Sequence, residues 1–390
     1  MIQVDKALEL IASSIFKMEP VMLPLAEVQG MTLAFDTYSP INLPSFRNSA
    51  MDGYAVMLNS CNSYTLNQEL KAGDSAKIRL KAGEATRVFT GAAVPENADT
   101  VIIQEWAQLD GNTVKFIKKP KKYANIRSEG EQLKSGELVF KSGLVLNEAS
   151  IGLLAGLGIA KVEVYATPKV GILVTGNELQ QPGKTLKPGC IYESNSIMLE
   201  LALKKAGVDQ ITKYRVKDDF LRTKQAIEKA LDQNDLLLIS GGISVGDYDF
   251  VKKALLANHI NEVFYMVKQK PGKPLWFGKK DKKIVFALPG NPASSLSCFY
   301  VYVLPAIRKM TGKKFRANLK TAISAERIFK PAGKTFFQKA KVEDGKLSIL
   351  KGQSSSMLHS FAVSNALACI PENVEEIPEN GEVEYFELDL

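Results

Sequence analysis

From residue 169 to residue 310 the sequence alternates between short apolar segments and longer segments with helical periodicity. The segments predicted to be strands are VGILVT, VDQITKYRV, DLLLIS, NEVFYMV and KIVFAL, and the first of them has the composition of a buried strand. Strands that alternate with helices form parallel sheets with helices on both faces, because each crossover returns the chain to the same edge of the sheet. The sequence therefore predicts an α/β protein whose centre is a doubly wound, mainly parallel sheet.

The segments on either side of this sheet follow another pattern. Residues up to about Ala34 are predicted to be helical, and residues 35–47 to be extended. Between residues 54 and 143, and again after Gly312, short apolar segments separated by turn residues predict two small β domains. Those of the first are YAVML, AKIRL, ATRVFT, TVIIQEW and TVKFIK. At 390 residues, the chain exceeds what one hydrophobic core usually supports, so several domains are expected.

The content of cysteine and histidine limits the possible chemistry. Four cysteines lie far apart without metal-type or redox-type spacing, and the chain has two histidines. A zinc enzyme or a serine–histidine hydrolase is hard to build from these side chains.

No apolar run is long enough to cross a bilayer, and residues 1–16 lack the features of a signal peptide. A cytoplasmic location is therefore expected.

The chain is basic, with a formal net charge of +8. Part of the excess lies in two lysine runs, at residues 115–122 and 279–283, which we interpret as solvated turns. An excess of positively charged side chains suits an anionic ligand. No recognisable nucleic-acid-binding fold accompanies the charge, so nucleic acid is not the expected partner.

Four loops associated with the predicted central sheet suit an anion. In doubly wound sheets the ligand lies beyond the carboxyl ends of the strands. Glycines in such loops let backbone N–H groups approach a phosphate, next to the N-terminus of a helix. Each loop alone also fits an ordinary structural turn, and only their convergence on one edge favours a binding site. The loops are residues 175–179, 240–249, 288–295 and 270–274.

Carboxylates near these loops indicate a divalent cation. Asp247 and Asp249 directly follow the glycine-rich loop, where a Mg²⁺ on phosphate oxygens would find oxygen ligands. Asp218 begins a predicted helix, a position that the helix dipole alone can explain. The sheet lacks a Walker lysine motif and a GxGxxG fingerprint. The residues therefore predict a Mg²⁺-assisted site for a phosphorylated or pyrophosphorylated ligand, unlike that of an ordinary NTPase or dehydrogenase.

A further motif, LPSFRNSAMDGYAV, occupies residues 43–56 and by itself reads as a proline-rich entry to a β domain. TGA at 90–92 and NIRSEGE at 125–131 follow it, and then TGNEL, IYESN, SGGISVGDYD, KPGKP and LPGNPAS. In this order the motifs resemble those of the molybdopterin molybdenumtransferases, the MoeA family, which includes the enzymatic domain of gephyrin. The resemblance covers essentially the whole chain, whereas a molybdopterin-binding domain alone accounts for residues 169–309.

This resemblance implies a four-part architecture. The central sheet becomes a domain of the molybdopterin-binding type, and a helical connector joins it to two small β domains. The expected divisions are a discontinuous connector and dimerisation domain at 1–47 and 128–166, a small β domain at 48–127, the α/β domain at 167–312 and a C-terminal β domain at 313–390.

The resemblance also implies an activity. Family members use Mg²⁺ to insert molybdate into adenylylated molybdopterin, which releases AMP and gives molybdenum cofactor. The dithiolene sulfurs of the substrate capture the metal, so no protein cysteine is required. Members are homodimers in which the small β domain of one chain reaches the central domain of the other. The adenylyltransferase that acts upstream is a candidate partner, and neither membranes nor nucleic acids are expected.

By motif, the resemblance assigns catalytic roles to Asp52, Thr90, Glu178, Asp218 and Asp249. Asp249 and Glu178 are the expected Mg²⁺ ligands. Molybdate is tetrahedral and doubly charged, so ammonium groups, hydroxyls and backbone N–H groups are suitable partners for it. The expected substrate-binding residues are Ser240, Gly241, Gly242, Ser244, Gly246, Lys270, Lys273, Pro289, Asn291, Pro292 and Ser294.

Three positions depart from the family pattern. Gln132 stands where an acidic residue is common, Met266 where some bacterial members have lysine, and Arg47 where an acidic residue is frequent. Two other functions remain open at this point. One is a non-catalytic dimeric scaffold of the gephyrin type, and the other is a nucleotide or nucleic-acid binder, which only the lysine runs favour.

Overall fold

A computed structural model describes residues 1–75, 77–243, 250–315 and 319–388. The chain forms two compact units. The first contains residues 1–23, 30–34 and 163–390, and the second contains residues 24–29 and 35–162.

The centre of the first unit is a six-stranded sheet. Its spatial order is Ile211–Val216, Val170–Thr175, Leu236–Ser240, Lys283–Leu288, Trp276–Lys280 and Asn261–Tyr265. The first four strands are parallel, and Trp276–Lys280 is antiparallel to both of its neighbours. The prediction of a mainly parallel sheet is confirmed.

The strand Trp276–Lys280 was missed by the sequence prediction. It forms a hairpin with Lys283–Leu288, and the lysine run supplies the turn, where Asp281 has a φ of 52°. A glycine and two lysines among its five residues interrupt the apolar pattern from which a strand is predicted. Gly278 is required, because a Cβ there would lie 2.3 Å from the Trp276 ring.

Helices cover both faces of this sheet. Side chains alternate between the faces, so Leu236 and Leu238 enter one apolar core while Leu237 and Ile239 enter the other. Among the described residues, no helix combines the length and the apolar character that a membrane span requires. The helices of this unit are Val4–Ser14, Asn195–Lys205, Phe220–Gln233, Phe250–Ala257, Pro292–Cys298, Leu304–Met310 and His359–Ala362.

The helix that begins at Pro292, within the LPGNPAS motif, changes pitch in its middle. A wide π-helical turn, Phe299–Val303, separates Pro292–Cys298 from Leu304–Met310. Pro305 has no N–H to donate to the carbonyl four residues earlier, and its ring would clash with that carbonyl in a regular α-helix. The wider turn directly precedes this proline. It therefore accommodates the proline without ending the helix.

The N-terminal segment departs from the helix predicted up to Ala34. The helix is Val4–Ser14, and Pro20–Pro24 is a strand, so the prediction is wrong beyond Ser14. Prolines at both ends of this strand oppose helix formation there. The proposed connector, residues 1–47 and 128–166, contains the α-helices Val4–Ser14 and Glu148–Gly156 together with short strands and loops. The four-part division of the chain stays a prediction.

The C-terminal part of the first unit is a small barrel. The spatial order of strands is Gln269–Lys270, Thr335–Glu343, Lys346–Ile349, Leu319–Ser324, Glu382–Glu387 and Ala366–Ile370, and the last of these also pairs with Thr335–Glu343. Ile328–Phe329 and Glu376–Ile377 form a separate pair. The first strand belongs to the KPGKP segment. The barrel therefore holds that segment by backbone pairing.

The second unit contains the other small β domain. Its six-stranded sheet has the order Thr100–Ile103, Gly53–Val56, Glu84–Val88, Ser63–Leu70, Thr113–Phe116 and Ala107–Asp110. Residues 77–80, the described part of the predicted strand AKIRL, form no strand. The strands Ser63–Leu70 and Ala107–Asp110 were not predicted from the sequence. Smaller elements of this unit are Thr37–Tyr38, Asn48–Ser49, Ile126–Arg127, Leu138–Phe140 and the single 3₁₀ turns Leu25–Glu27 and Gln104–Trp106. The strand Lys161–Tyr165 contains the point in the sequence at which the second unit ends and the first resumes.

Candidate functional site

A cavity of about 620 Å³ lies at the carboxyl ends of the central parallel strands. The loops that follow Val170–Thr175, Leu236–Ser240 and Lys283–Leu288 line it together. We call it the strand-end cavity. It brings together the predicted residues Glu178, Asp218, Ser240, Gly241, Gly242, Pro289, Asn291 and Pro292.

Glycines allow these loops to approach one another. Gly241 has a φ of +97°, and a Cβ there would lie 2.7 Å from the carbonyl oxygen of Thr175. Gly242 has a φ of +61°, and its Cβ would lie 2.8 Å from a methyl carbon of Val251. Larger residues would therefore separate the loops and strain their backbone.

Asn195 connects two loops of the strand-end cavity. Its Nδ2 donates to Ser240 Oγ at 2.8 Å and to the carbonyl oxygen of Gly290 at 2.7 Å. Asn195 begins the helix Asn195–Lys205, and the buried carboxylate of Glu193 accepts from Ser196 N at 2.8 Å in the first turn. The start of this helix is thus fixed against the cavity by side-chain hydrogen bonds.

Asp218 connects the strand end at Thr175 to the loop after it. Thr175 Oγ1 donates to Asp218 Oδ1 at 2.6 Å, and Asn177 N donates to Asp218 Oδ2 at 3.1 Å. The neighbouring Asp219 caps the helix, accepting from Arg222 N at 2.8 Å. Asp219 is therefore the residue that caps this helix, and Asp218 is held in the cavity wall.

Glu178 is the exposed carboxylate of the strand-end cavity, and no described residue donates a hydrogen bond to it. In the part of the chain that the structure describes, no three His, Cys, Asp or Glu side chains are grouped to hold a metal. Mg²⁺ commonly uses one or two carboxylates, substrate phosphates and water, so Glu178 fits such a partial ligand set. Ser244, Gly246, Asp247 and Asp249 lie outside the described residues.

A second cavity of about 670 Å³ shares Pro274, Pro289 and Asn291 with the first. We call it the lysine cavity. It contains the predicted residues Lys270, Lys273 and Ser294, which lie apart from Glu178 and Asp218. The C-terminal barrel and the chain around it add residues that the sequence did not indicate: Lys334, Phe336, Phe337, Gln338, Gln353, Ser354 and Ser355.

The lysine cavity is electropositive. Lys270, Lys273 and Lys334 line it, and none of its described lining residues is aspartate or glutamate. The Nζ of Lys270 lies 5.3 Å from the centre of the Phe336 ring, and the Nζ of Lys330 lies 5.5 Å from the same centre. Burial lowers the pKa of Lys330. Such a cavity favours an anion, because a bound anion neutralises ammonium groups that have no carboxylate beside them.

A loop at residues 352–357, here called the serine loop, carries Ser354 and Ser355 into the lysine cavity and Ser356 into the strand-end cavity. Asn291 Nδ2 donates to Ser355 Oγ at 3.0 Å. The buried ammonium group of Lys339 donates to three loop carbonyls, those of Gly352 at 2.7 Å, Ser354 at 3.2 Å and Met357 at 3.1 Å. Burial lowers the pKa of Lys339. The serine loop is therefore fixed to both parts of the first unit.

In the second unit, the predicted residues Asp52 and Thr90 form a pair. The backbone N and the Oγ1 of Thr90 each donate to Asp52 Oδ1, both at 2.7 Å. These hydrogen bonds, first that of the hydroxyl, lower the pKa of the partly exposed Asp52. The nearby Arg87 guanidinium lies 4.9 Å from the Tyr54 ring centre and lowers this pKa further. Asp52 is thus held as a carboxylate.

Three family models match successive parts of the chain. They are the MoeA N-terminal region (domain I and II) at residues 2–158, a probable molybdopterin binding domain at 171–309 and the MoeA C-terminal region (domain IV) at 321–388. A molybdopterin molybdenumtransferase of Haemophilus influenzae is 39% identical over 88% of this chain and 87% of its own length. The chain belongs to the MoeA family of molybdopterin molybdenumtransferases. The prediction of an enzyme of this family is confirmed.

Other MoeA relatives agree in length and fold. Molybdopterin molybdenumtransferase 2 of Mycobacterium tuberculosis is 32% identical over 95% of both chains. The crystal structure of a molybdopterin biosynthesis MoeA protein from Pyrococcus horikoshii has 31% identity and a TM-score of 0.86, and the alignment covers 99% of both chains.

Arg47, one of the departures from the MoeA pattern, has a structural role. Its guanidinium donates to the carbonyl oxygens of Glu96 at 2.9 Å and Ala98 at 2.6 Å. Gln132 is exposed, and its backbone N donates to the carbonyl oxygen of Leu43 at 2.9 Å. Met266 has a φ of 65°. None of the three lines either of the two cavities.

Lysines of the run at 115–122 make contacts with neighbouring side chains. Lys115 pairs with Asp110 at 3.2 Å and Lys122 with Asp99 at 3.3 Å, while Lys118 lies 4.6 Å from the Trp106 ring centre. These contacts support the interpretation of the run as a solvated surface. They give no support to a nucleic-acid-binding function.

Proposed function

We propose that this enzyme inserts molybdate into adenylylated molybdopterin in a Mg²⁺-dependent reaction that releases AMP. The observation that carries the proposal is the adjacency of two chemically different cavities. The strand-end cavity offers glycine loops and carboxylates, while the lysine cavity offers ammonium and hydroxyl groups, and Pro274, Pro289 and Asn291 line both. A ligand with a pyrophosphate beside a second oxyanion matches this arrangement.

In the proposed complex, the pyrophosphate lies in the strand-end cavity. Gly241 and Gly242 carry no side chain between their backbone and such a ligand, and Ser240 and Asn195 hold the neighbouring loops together. Backbone N–H groups in loops of this type bind phosphate oxygens. Asp218 keeps the opposite wall in place through its contacts with Thr175 and Asn177.

The carboxylates are proposed to serve the metal. Glu178 would hold Mg²⁺ together with Asp249, and the ion would supply charge neutralisation on the departing phosphate. Glu178 suits this role because its carboxylate is exposed in the cavity and is not committed to another described donor.

Molybdate is proposed to bind in the lysine cavity. Lys270 and Lys273 supply positive charge, and Ser294 and the serine loop supply hydroxyl groups. A doubly charged tetrahedral oxyanion suits several donors around one point. The lack of carboxylates among the described lining residues reduces repulsion of the anion.

The proposed reaction is tested by measuring AMP released from adenylylated molybdopterin by the purified protein, with and without molybdate and Mg²⁺. We expect release that requires both ions and is lost when Mg²⁺ is chelated. A protein that binds the substrate but never releases AMP would favour the non-catalytic scaffold instead. Homodimer formation, contact with the upstream adenylyltransferase and a cytoplasmic location stay predictions from the sequence.

A further inference from the structure

A buried polar network lies beneath the KPGKP loop, residues 270–274. Gln269 precedes this loop and is 2% exposed, and its Nε2 donates to the carbonyl oxygen of Gly272 at 2.9 Å. The hydroxyl group of Tyr302, a fully buried residue, donates to Gln269 Oε1. The network therefore connects a helix of the protein core to the middle of a loop that carries two lysines of the lysine cavity.

The loop rests directly on this network. Gly272 has a φ of +85°, and a Cβ there would lie 2.6 Å from Cys298 Sγ and 2.9 Å from Gln269 Nε2. Cys298 is fully buried, and burial raises the pKa of its thiol to about 12. The space under the loop thus contains a neutral thiol and an amide, with no room for another side chain.

The Gly272 carbonyl can only accept, so it turns Nε2 of the Gln269 amide towards itself, and the Tyr302 hydroxyl then donates to Oε1 on the other side. When Tyr302 donates to Oε1, the Nε2 group faces the Gly272 carbonyl, as observed. The opposite orientation would place two acceptor oxygens together and leave buried groups without partners, which is unfavourable. A phenylalanine at position 302 would fill nearly the same volume but would remove the donor to the buried Oε1 of Gln269.

The π-helical turn Phe299–Val303 places Tyr302 at this point. The turn interrupts the regular helix within the protein core, and all five of its residues are buried. An extra residue in a helical turn changes the direction of the side chains around it. The position of the hydroxyl is therefore a consequence of the local helix geometry.

We propose that Tyr302 and Gln269 are positioning residues that hold the KPGKP loop in the form that presents Lys270 and Lys273 to an oxyanion. The inference rests on the proposed binding of molybdate in the lysine cavity. Tyr302 is not among the described residues that line the lysine cavity, so its effect passes through Gln269, which does line it, and through the Gly272 carbonyl between the two lysines.

The test measures the dissociation constant of molybdate alone, by calorimetry, for the wild-type full chain and for Tyr302→Phe. We expect Tyr302→Phe to weaken molybdate binding about fivefold or more, because one buried acceptor loses its donor. Tyr300→Phe is the matched control. It removes a hydroxyl from the same buried turn, where the Tyr300 ring packs against Phe299 and Phe361. Equal affinities for wild type and Tyr302→Phe, or equal losses in both variants, would overturn the proposal.

A double-mutant cycle with Gln269→Met separates a connected network from two independent effects. If Tyr302 acts through Gln269, Tyr302→Phe should cause little further loss of affinity once Gln269→Met is present. Additive losses would show that the hydroxyl acts by another route and would reject the network. Thermal melts of all variants are compared, so that loss of affinity is assigned only to folded proteins.

An activity assay gives a second readout. The molybdate concentration for half-maximal AMP release should rise in Tyr302→Phe, while that of adenylylated molybdopterin stays as in the wild type. Equal rises for both substrates would indicate general damage to the fold and contradict a positioning role. If wild-type protein binds no molybdate at all, the proposed function fails; if only the difference between variants is absent, this inference alone fails.

Discussion

At the scale of the residue, hydrogen-bond partners distinguish side chains that look equivalent in the sequence. Asp218 and Asp219 are adjacent, yet Asp219 caps a helix while Asp218 accepts from Thr175 and Asn177 in the cavity wall. Lysines differ in the same way. Lys339 is buried against three carbonyls, whereas Lys273 is exposed in an electropositive cavity.

Thr90→Val should raise the pKa of Asp52 towards its usual value near 3.8, because the hydroxyl that lowers it most is removed while the backbone donor stays. The folded protein holds this carboxyl at a lowered pKa. The stability that Asp52 contributes is therefore complete above about pH 4 and is lost as the pH falls through that lowered value. NMR titration of the Asp52 carboxyl measures the change. Thr90→Ser keeps the hydroxyl and should show no rise, and an equal rise in both variants would contradict the assignment.

Lys273→Ala and Ser294→Ala should each raise the molybdate concentration for half-maximal activity, the lysine variant by about tenfold, since a charge-assisted donor is lost. The half-saturating concentration of adenylylated molybdopterin should change less. Lys279→Ala is the control, because it removes the same charge from an exposed position outside the lysine cavity. If both substrates lose affinity equally, these residues contact the pterin phosphate instead of the oxyanion.

At the scale of the element, the site depends on loops that separate elements hold in place. The KPGKP loop begins in a strand of the C-terminal barrel, and the serine loop is anchored to the barrel strand Thr335–Glu343 by Lys339. Gln353 strengthens this anchor, since its Oε1 accepts from the backbone N of Lys339 at 2.9 Å. The barrel therefore positions one wall of the lysine cavity.

Lys339→Met should loosen the serine loop, because three loop carbonyls lose the buried donor that they share. Hydrogen exchange of the amides of residues 352–357 should become faster, while exchange in the central sheet stays as in the wild type. Burial lowers the pKa of Lys339, so the charged form is disfavoured in the folded state. As the pH increases from that lowered pKa towards 10.5, the free energy of unfolding of the wild type should therefore rise relative to that of the variant. Lys341→Met, on the same strand and exposed, should leave loop exchange unchanged, and faster exchange there would argue against a specific anchor.

At the scale of the whole molecule, the candidate residues are divided between the two compact units. Asp52 and Thr90 belong to the second unit, and both cavities belong to the first. The family resemblance implies a homodimer in which one chain supplies Asp52 to a site in the other. In a two-fold dimer this would give two equivalent sites.

Mixing inactive Asp52→Ala subunits with inactive Asp218→Ala subunits tests that arrangement. In a mixed dimer with shared sites, one site carries both substitutions and the other carries neither. Random mixing should restore about a quarter of wild-type activity, since half of the dimers are mixed and each has one intact site. If mass measurements show mixed dimers but no activity returns, each site is built within one chain.

The mainly parallel central sheet, the family and the grouping of strand-end loops around one cavity could be predicted from the sequence. These follow from local patterns, because the alternation of buried strands and helices places the carboxyl ends of parallel strands at one edge. The cavity residues Glu178, Asp218 and Ser240 were therefore expected to lie together, as they do.

The separation of the candidate site into two cavities and the participation of the C-terminal barrel depend on contacts between residues that are distant in sequence. Lys334, Lys339 and the serine loop lie at least 60 positions beyond the KPGKP loop in sequence, and only strand pairing across that distance brings the barrel to it. The role of Tyr302 could not be predicted from the sequence either. Its hydroxyl reaches Gln269 through a π-helical turn beside Pro305, and a change of pitch within one apolar helix leaves no signal in hydrophobic periodicity.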